Sequence, residues 1–124
     1  MISANIHQLN LVLTSIVDSG QCDVVAITDK SGRLITYQAE TSDFDKVSIS
    51  SFVCESFLSD AKIANLIGEK EFQTIYMEGT TRHLYATRID QNHIILTIFT
   101  DRSNIRKVKV LVDDKRTNIA GFLK

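Results

Sequence analysis

The segment 29–32, Asp-Lys-Ser-Gly, has the D-x-x-G spacing with which GTPases sense a γ-phosphate. In a GTPase that motif works beside a phosphate-binding G-x-x-x-x-G-K-[ST] loop, and none of the five glycines stands in such a frame. A calcium loop is excluded as well, because Lys30 falls where oxygen ligands are needed. Asp29 can instead accept a hydrogen bond from the backbone two residues on, and Gly32 can take a positive φ. The segment therefore predicts a tight turn between two strands.

No other group of residues points to catalysis. The three histidines are predicted to be exposed or to lie at strand edges: His7, His83 and His93. Several serines share one predicted helix, and nothing beside them marks an activated nucleophile: Ser48, Ser50, Ser51, Ser56 and Ser59. Asp43 and Asp45 fall in the first turn of that helix, where the helix dipole favours carboxylates. We therefore expect a protein that is not an enzyme and has no cofactor and no metal site.

Length and composition are those of one soluble globular domain, residues 1–124, with 44% apolar and 23% charged residues. Cys22 and Cys54 match no zinc or redox spacing, and we expect them to be buried, reduced thiols. No apolar run approaches the ~20 residues of a membrane span, and the N-terminal residues lack the pattern of a signal peptide. A cytoplasmic protein without an integral membrane segment is expected.

Positive charge is concentrated at the C-terminal end. Residues 102–124 hold seven Lys and Arg against two Asp, a net +5, which leaves −6 for residues 1–101. The cations of the predicted last helix lie opposite its apolar row: Arg102, Arg106, Lys109 and Arg116. Because no aromatic stacking residue accompanies them, a solvated face is favoured over binding to nucleic acid or a membrane, with an acidic protein patch as the remaining alternative.

Hydrophobic periodicity predicts the element order α-β-β-α-β-β-β-α. The predicted helices and strands cover 2–19, 22–28, 33–38, 42–67, 72–79, 83–90, 93–100 and a last helix capped by Ser103. Ser42 and Asp43 are the predicted caps of the middle helix, and Gly68 its stop. Short turns between consecutive strands require antiparallel pairing, which gives an α+β fold with a five-stranded sheet. The strand 93–100 is apolar on both faces and is predicted to be central.

The middle helix has two apolar rows. The row predicted to cover the sheet contains Ile49, Phe52, Val53, Phe57, Ala64 and Ile67. A second row, with helix-pairing spacing, contains Val47, Ser50, Cys54, Leu58, Ala61 and Asn65. One sheet can cover only one row, so the second favours self-association. The alternative is that loops or terminal helices of the same chain cover it.

The strand 72–79 begins a three-stranded meander, so one of its sides is predicted to lack a partner. Its apolar residues Ile75, Tyr76 and Met77 invite pairing with another chain across a two-fold axis. The alternative is an edge protected by the charges of Lys70, Glu71 and Glu78.

The whole order of elements resembles that of the Roadblock/dynein-light-chain family. The matching segments are the leading helix, VVAITDKSGRLI with its turn, the long second helix, YMEG, HIILTIFT and a last helix opening SNIRKVKVL. The resemblance implies a five-stranded antiparallel sheet with the first and last helices on one face and the middle helix on the other. It also implies a non-catalytic scaffold or regulator that pairs through the middle helix and third strand and attaches to small Ras-like GTPases. The chain looks most like the bacterial MglB-type members, which accelerate hydrolysis by a GTPase without inserting an arginine.

The same resemblance suggests site residues. Candidates for a homodimer contact are Val47, Ser51, Cys54, Leu58, Ala61, Ile75 and Met77. Candidates for contact with a GTPase are Ser48, Glu55, Ser59 and Lys62. Ser51, Glu55 and Lys62 are candidates for both contacts. The alternative function is a small-ligand sensor of the PAS or GAF type, which also has a five-stranded antiparallel sheet but usually several short helices where this chain has one long helix.

Overall fold

The computed structural model of the protein describes residues 2–41 and 43–124, with side chains described from Asn5 onward. The helices are α1 (Ile2–Gly20), α2 (Lys46–Leu66) and α3 (Ile105–Phe122), and a 3₁₀ turn at Arg102–Asn104 precedes α3. The strands are β1 (Cys22–Asp29), β2 (Leu34–Ala39), β3 (Thr74–Glu78), β4 (His83–Arg88) and β5 (His93–Phe99). The element order and the α+β fold class predicted from the sequence are confirmed.

All strand pairs are antiparallel, in the order β2-β1-β5-β4-β3. The apolar strand β5 lies at the centre, as predicted, with Leu96 opposite both Ala26 of β1 and Ala86 of β4. Strand β3 pairs only with β4 among the described residues, so the prediction of an edge strand is confirmed.

The strand side chains alternate between two apolar layers. Val25 and Ile27 of β1 face α1 and α3, where they pack among fully buried residues such as Leu13. Val24 and Ala26 face the opposite side, where α2 covers them. The helices therefore divide two and one across the sheet, which is the arrangement that the family resemblance implied.

The capping groups differ from those predicted. Helix α2 is capped by Asp45, whose carboxylate accepts hydrogen bonds from the backbone N and hydroxyl of Ser48 at 3.1 and 2.8 Å. The predicted cap Asp43 precedes the helix by three residues, and Ser42 lies outside the described residues. The predicted cap Ser103 lies inside the 3₁₀ turn that precedes α3. That turn is capped by Asp101, whose carboxylate accepts hydrogen bonds from the backbone N and hydroxyl of Ser103, and the N-cap of α3 itself is Asn104, which makes no side-chain capping bond to the described residues.

The predicted stop of α2 is confirmed at Gly68, which has φ +88°. Its N–H donates to the carbonyl of Asn65, and the N–H of Glu69 donates to the carbonyl of Ala64. This pair of bonds is the Schellman motif, which satisfies the last carbonyls of the helix.

The segment 29–32 is the β1–β2 turn. The carboxylate of Asp29 accepts hydrogen bonds from Ser31 N, Ser31 Oγ and Arg33 N at 2.7–3.0 Å, and Gly32 has φ +96°. A Cβ on Gly32 would lie 3.0 Å from the Cα of Ser51 in α2, so only glycine permits this approach. The turn therefore positions α2 on the sheet.

The two cysteines are free and buried, as expected from the sequence. Burial raises the pKa of the Cys22 thiol to about 12 and also raises the pKa of Cys54, whose thiol donates to the carbonyl of Asp29 at 3.4 Å. Over the part of the chain that the structure describes, none of the helices has the length and apolar character needed to cross a membrane.

Replacing Gly32 by Ala should lower the free energy of unfolding by about 2–4 kcal/mol, because it adds left-handed backbone strain to a clash with Ser51. Gly68→Ala has the same backbone problem, but nothing lies within 4 Å, so its cost should be about 1–2 kcal/mol. Gly121→Ala, inside α3 and in open space, should stabilise by about 0.5–1 kcal/mol. Urea unfolding of the three variants checks this ranking, and equal costs for Gly32 and Gly68 would contradict the close contact.

Candidate functional site: the outer surface of the middle helix

The inward face of α2 is narrower than predicted. The helix buries Ser50, Val53, Cys54, Phe57 and Ala64 against the sheet. The predicted sheet-facing row was wrong at Phe52 and Ile67, which are 65% and 66% exposed. The predicted second row was wrong at Ser50 and Cys54, which are buried.

Helix α2 is therefore rotated about its axis relative to the prediction, and the β1–β2 turn explains why. The glycine of the turn and the small side chains Ser50 and Cys54 let the helix backbone come close on that side. The helix therefore turns its small residues toward the turn and the larger Phe52 toward solvent. Volume at the contact, rather than hydrophobicity, decides which arc faces the sheet.

Three surfaces of α2 remain outside. The residues that lie farthest from the sheet form the polar ridge, with Ser48, Glu55, Ser59 and Lys62. The apolar side facing the β1–β2 turn is the turn flank, with Val47, Ser51 and Leu58. The apolar side facing β3 is the strand flank, with Ile49, Phe52, Ser56, Ile63 and the C-cap Ile67. Leu66 lies on the ridge between the two flanks and is 86% exposed.

The turn flank borders a cavity of about 380 Å³ that contains both apolar and charged groups. Val47 and Leu58 on this flank are 67% and 69% exposed. Lys30 and Lys70 line the cavity beside Leu58. This side of the helix therefore combines an exposed leucine with the ammonium groups of two lysines.

An arginine closes the inner end of that cavity. The guanidinium of Arg88 lies 4.8 Å from the ring centre of Phe57 and forms an ion pair with Glu71 at 3.4 Å. It also donates to the carbonyl of Phe72 at 3.2 Å. Its charge is thus already compensated within the chain.

The strand flank borders a groove of about 360 Å³ between the start of α2 and strands β3 and β4. Its apolar lining consists of Phe44, Ile49, Met77, Leu84 and Ile98. Beyond the groove, the same flank continues with Phe52 and Ile63, which are 65% and 56% exposed. The polar residues on this side of the helix are Ser56 and Asp60, both half-buried.

The open edge of β3 lies next to the strand flank. Gln73 O accepts from Arg88 N and Gly79 N donates to Arg82 O, so odd-numbered residues bond to β4. By the alternation of a strand, the backbone groups of Thr74, Tyr76 and Glu78 face the open side. An open edge of this kind can pair with another strand.

The structure separates the residues predicted for a homodimer contact. Cys54 and Ile75 are 3% and 8% exposed and face the interior of their own chain. Val47, Ser51 and Leu58 lie on the turn flank, whereas Met77 lies in the groove on the other side. Ala61 is half-buried. These residues do not form one continuous surface, and their contact with a second copy stays a prediction.

The residues predicted to contact a GTPase do lie together. The polar ridge holds four of the five, with Glu55, Ser59 and Lys62 exposed and Ser48 half-buried beside the cap Asp45. The fifth, Ser51, is exposed on the adjoining turn flank. Their role stays a prediction. Neither the groove nor the exposure of Phe52 was predicted from the sequence, because both depend on how far the helix is rotated about its axis.

Two histidines differ from prediction. His83 is 4% exposed, with its ring centre 5.7 Å from that of Phe99 and its Nδ1 unpartnered within the described chain. Nδ1 of His93 lies 2.9 Å from the carboxylate of Asp90, a pair that was not predicted from the sequence. Asp90 also accepts from Asn92 N, so this pair belongs to the β4–β5 turn.

The basic face of α3 is less free than predicted. Arg116 donates to the carbonyl of Arg88 at 2.5 Å and pairs with Asp113 at 3.0 Å, and Arg102 pairs with Glu78 at 3.3 Å. Within residues 2–41 and 43–124, no group of three or more His, Cys, Asp or Glu side chains has the arrangement of a metal site.

The topology and layers described above are those of the Roadblock/LC7 fold. A Roadblock/LC7 domain from Streptomyces avermitilis matches with a TM-score of 0.65 and 9% identity, covering 89% of this chain and 96% of that one. Within this fold the chain is related to MglB. Myxococcus xanthus MglB matches with a TM-score of 0.84 and 25% identity over 94% of both chains. MglB from Thermus thermophilus matches with a TM-score of 0.90 and 16% identity, covering 96% of this chain and 90% of that one.

Neither a protein-family model nor a curated protein matches the sequence. The relationship is therefore carried by the arrangement of the elements rather than by short motifs. A solved MglB structure described as having a tetrameric arrangement matches with a TM-score of 0.91 and 16% identity, covering 96% of this chain and 90% of that one.

Stability should depend on pH through the turn that positions α2. Burial raises the pKa of the Asp29 carboxyl, but hydrogen bonds from Ser31 and Arg33 lower it further, so the pKa lies below its usual value. The stabilisation is present above the unfolded pKa of about 3.9 and is lost as pH falls through the lower folded pKa. Asp29→Asn should therefore cost about 1–2 kcal/mol at pH 7 and progressively less below pH ~4.

The matched control is Asp114→Asn, at an exposed site whose nearest cation, Lys115, is 3.8 Å away. Urea titrations of both variants and the parent protein, repeated between neutral and acidic pH, measure the difference. A cost of Asp29→Asn that stayed constant down to pH 2 would contradict the role of the ionised carboxylate.

Proposed function

We propose that the chain is a non-catalytic regulator or scaffold that acts as a homodimer and binds a small Ras-like GTPase. The observation that carries the proposal is the exposed apolar surface of α2. Six large apolar side chains between Val47 and Ile67 are 56–86% exposed, on both flanks of a helix that already covers the sheet. Surfaces of this kind mark protein–protein contacts.

The likeness to MglB and the family resemblance support a small GTPase as the partner. Roadblock-type chains are expected to pair and to attach to small GTPases, and the two flanks of α2 offer a place for both a second copy and a partner. The polar ridge between them supplies Glu55 and Lys62, charges that can orient a partner. In this proposal the GTPase keeps its own hydrolytic machinery, and the dimer binds it or changes its rate.

The alternative of a PAS- or GAF-type small-ligand sensor is not supported. A single helix of 21 residues joins β2 to β3, where such sensors usually have several short helices. The structural matches described above are MglB and Roadblock/LC7 domains.

The homodimer is tested by mass. Light scattering and sedimentation over micromolar to millimolar concentrations should give twice the 13.9 kDa of one chain. A stable dimer would bury on the order of 800 Å² per copy, about a tenth of the 7233 Å² surface of one chain. A mass of 13.9 kDa at every concentration would refute the dimer.

Partner binding is tested with the small Ras-like GTPases of the same genome, loaded with GTP or GDP. We expect one of them to bind the dimer, and its hydrolysis of GTP to change when the dimer is added. Reversing both ridge charges, Glu55→Lys with Lys62→Glu, should weaken binding at least tenfold, which corresponds to about 1.4 kcal/mol or more.

The matched control reverses exposed charges on the opposite face of the molecule, Arg106→Glu with Lys109→Glu on α3. This variant should bind as the parent does. Loss of binding with the α3 variant alone would move the partner site to α3, and no binding by any of the GTPases would refute this half of the proposal.

A further inference from the structure

We propose that the cavity of about 380 Å³ beside the turn flank, here called the cationic cavity, binds a small organic anion: a carboxylate or phosphate joined to a short apolar body. The cations Lys30, Lys70 and Arg88 line it together with the apolar side chains of Phe57 and Ile94. The inference goes beyond the proposed function, because it requires neither a second copy of the chain nor a GTPase.

The walls of the cationic cavity come from four segments that meet at one end of the sheet. Helix α2 supplies Phe57, the β1–β2 turn supplies Lys30, and the β4–β5 turn supplies Gln91. The connection between α2 and β3 supplies Lys70. Loops that converge on a rigid sheet are a common place for binding sites.

Hydrogen bonds hold the backbone around the cavity in place. The backbone N of Lys30 donates to the carbonyl of Asn92 at 2.8 Å, which ties the β1–β2 turn to the β4–β5 turn. The backbone N of Arg88 donates to the carbonyl of Gln73 at 2.9 Å, and its Nε donates to the carbonyl of Phe72 at 3.2 Å. Because these walls are already ordered, a ligand would have little protein to immobilise.

The cavity has more positive than negative charge. Within residues 2–41 and 43–124, neither Lys30 nor Lys70 forms an ion pair. Two carboxylates near them in the sequence are already paired with arginines: Asp29 with Arg33 at 3.2 Å, and Glu71 with Arg88 at 3.4 Å. Three cations and one carboxylate line the cavity among the described residues, which leaves a surplus of two positive charges. A bound anion would offset this surplus.

Hydrogen-bond donors in the cavity remain available for a ligand. Only Nε of Arg88 donates to the described chain, so Nη1 and Nη2 keep their hydrogens for other acceptors. Neither atom is sealed from solvent, because the buried side-chain N or O atom that lacks a partner among the described residues is Nδ1 of His83. Carboxylates and phosphates accept paired hydrogen bonds from a guanidinium. The thiol of Cys54, whose pKa is raised by burial, adds no negative charge to oppose the anion.

The apolar part of the lining selects the body of the ligand. Phe57 and Ile94 form buried parts of the wall, and the exposed Leu58 borders the same cavity on the turn flank. An anion with a short apolar group would cover part of Leu58 while its charge meets the lysines, whereas a bare anion would gain only the charge contact. The volume lies near the lower end of the range of about 300–1,000 Å³ for small-molecule sites, so the ligand must be small.

The experiment measures by calorimetry how defined probes bind to the full chain. Hexanoate and phenyl phosphate have both a charge and an apolar body, acetate and inorganic phosphate have only the charge, and hexanamide has only the apolar body. We expect hexanoate or phenyl phosphate to bind about tenfold more tightly than its bare counterpart, and hexanamide not to bind. The stronger of the two shows whether a carboxylate or a phosphate is preferred. Added salt should weaken the binding, because it screens the lysines.

Three double variants test the source of the charge. Lys30→Gln with Lys70→Gln should weaken binding of the preferred probe by about tenfold, because it removes the surplus charge. Lys30→Arg with Lys70→Arg keeps the charge and should retain the binding. The matched control, Lys107→Gln with Lys109→Gln, removes the same charge from the exposed surface of α3 and should also retain it. All four lysines are exposed, so the fold should persist, which urea unfolding verifies.

Amide NMR spectra of the parent chain locate the bound probe. The largest shifts should fall at Lys30, Lys70 and Gln91. Shifts centred elsewhere, no binding of any probe, or equal binding of hexanoate and hexanamide would refute the inference. An equal loss of binding in the two glutamine variants would also refute it, because the probe would then respond only to net charge.

These outcomes are distinct from those of the proposed function. The failure of every probe to bind would leave the homodimer and the GTPase contact standing, since neither depends on the cationic cavity. A chain that is monomeric at every concentration and still binds hexanoate at Lys30 and Lys70 would refute the homodimer and support the anion site.

Discussion

The surface of this protein depends on one close approach, that of the β1–β2 turn to the backbone of α2. Gly32 leaves room for Ser51, and Asp29 holds the turn in shape through bonds to Ser31 and Arg33. Because the helix comes close on this side, Ser50 and Cys54 are buried there, whereas Phe52 and Ile67 are turned outward. The interaction surface is therefore a consequence of how the turn fits the helix.

The two faces of the sheet are covered by different numbers of helices. On the side of α1 and α3, two helices cover the strands, and side chains such as Leu13, Ile16 and Phe99 are fully buried. On the other side, a single helix covers the centre of the sheet and leaves a groove beside β3. One face thus serves mainly stability, whereas the other combines coverage of the core with an exposed apolar boundary.

The sequence was sufficient to predict the element order, the central position of β5, the open edge of β3 and the helix stop at Gly68. Each of these depends on local chemistry or on strand periodicity. The rotation of α2 about its axis could not be predicted from the sequence. The helix has two apolar arcs of similar width, and the contact at Gly32 determines which of them faces the sheet. The burial of His83 could have been predicted, since the alternation of side chains along β4 places it on the same strand face as the buried Tyr85 and Thr87. The caps were also missed: Asp45 stands two residues after the predicted Asp43, and Asp101 stands two residues before the predicted Ser103.

The buried thiols give the molecule a practical property. Cys22 and Cys54 are the only two cysteines, and they are 1% and 3% exposed with raised pKa values. Thiolate rather than thiol is the reactive form, so both native sulfurs are protected from alkylating reagents by low ionisation as well as by burial. A single cysteine introduced on the surface would accept a fluorophore or cross-linker selectively, without removal of the native pair.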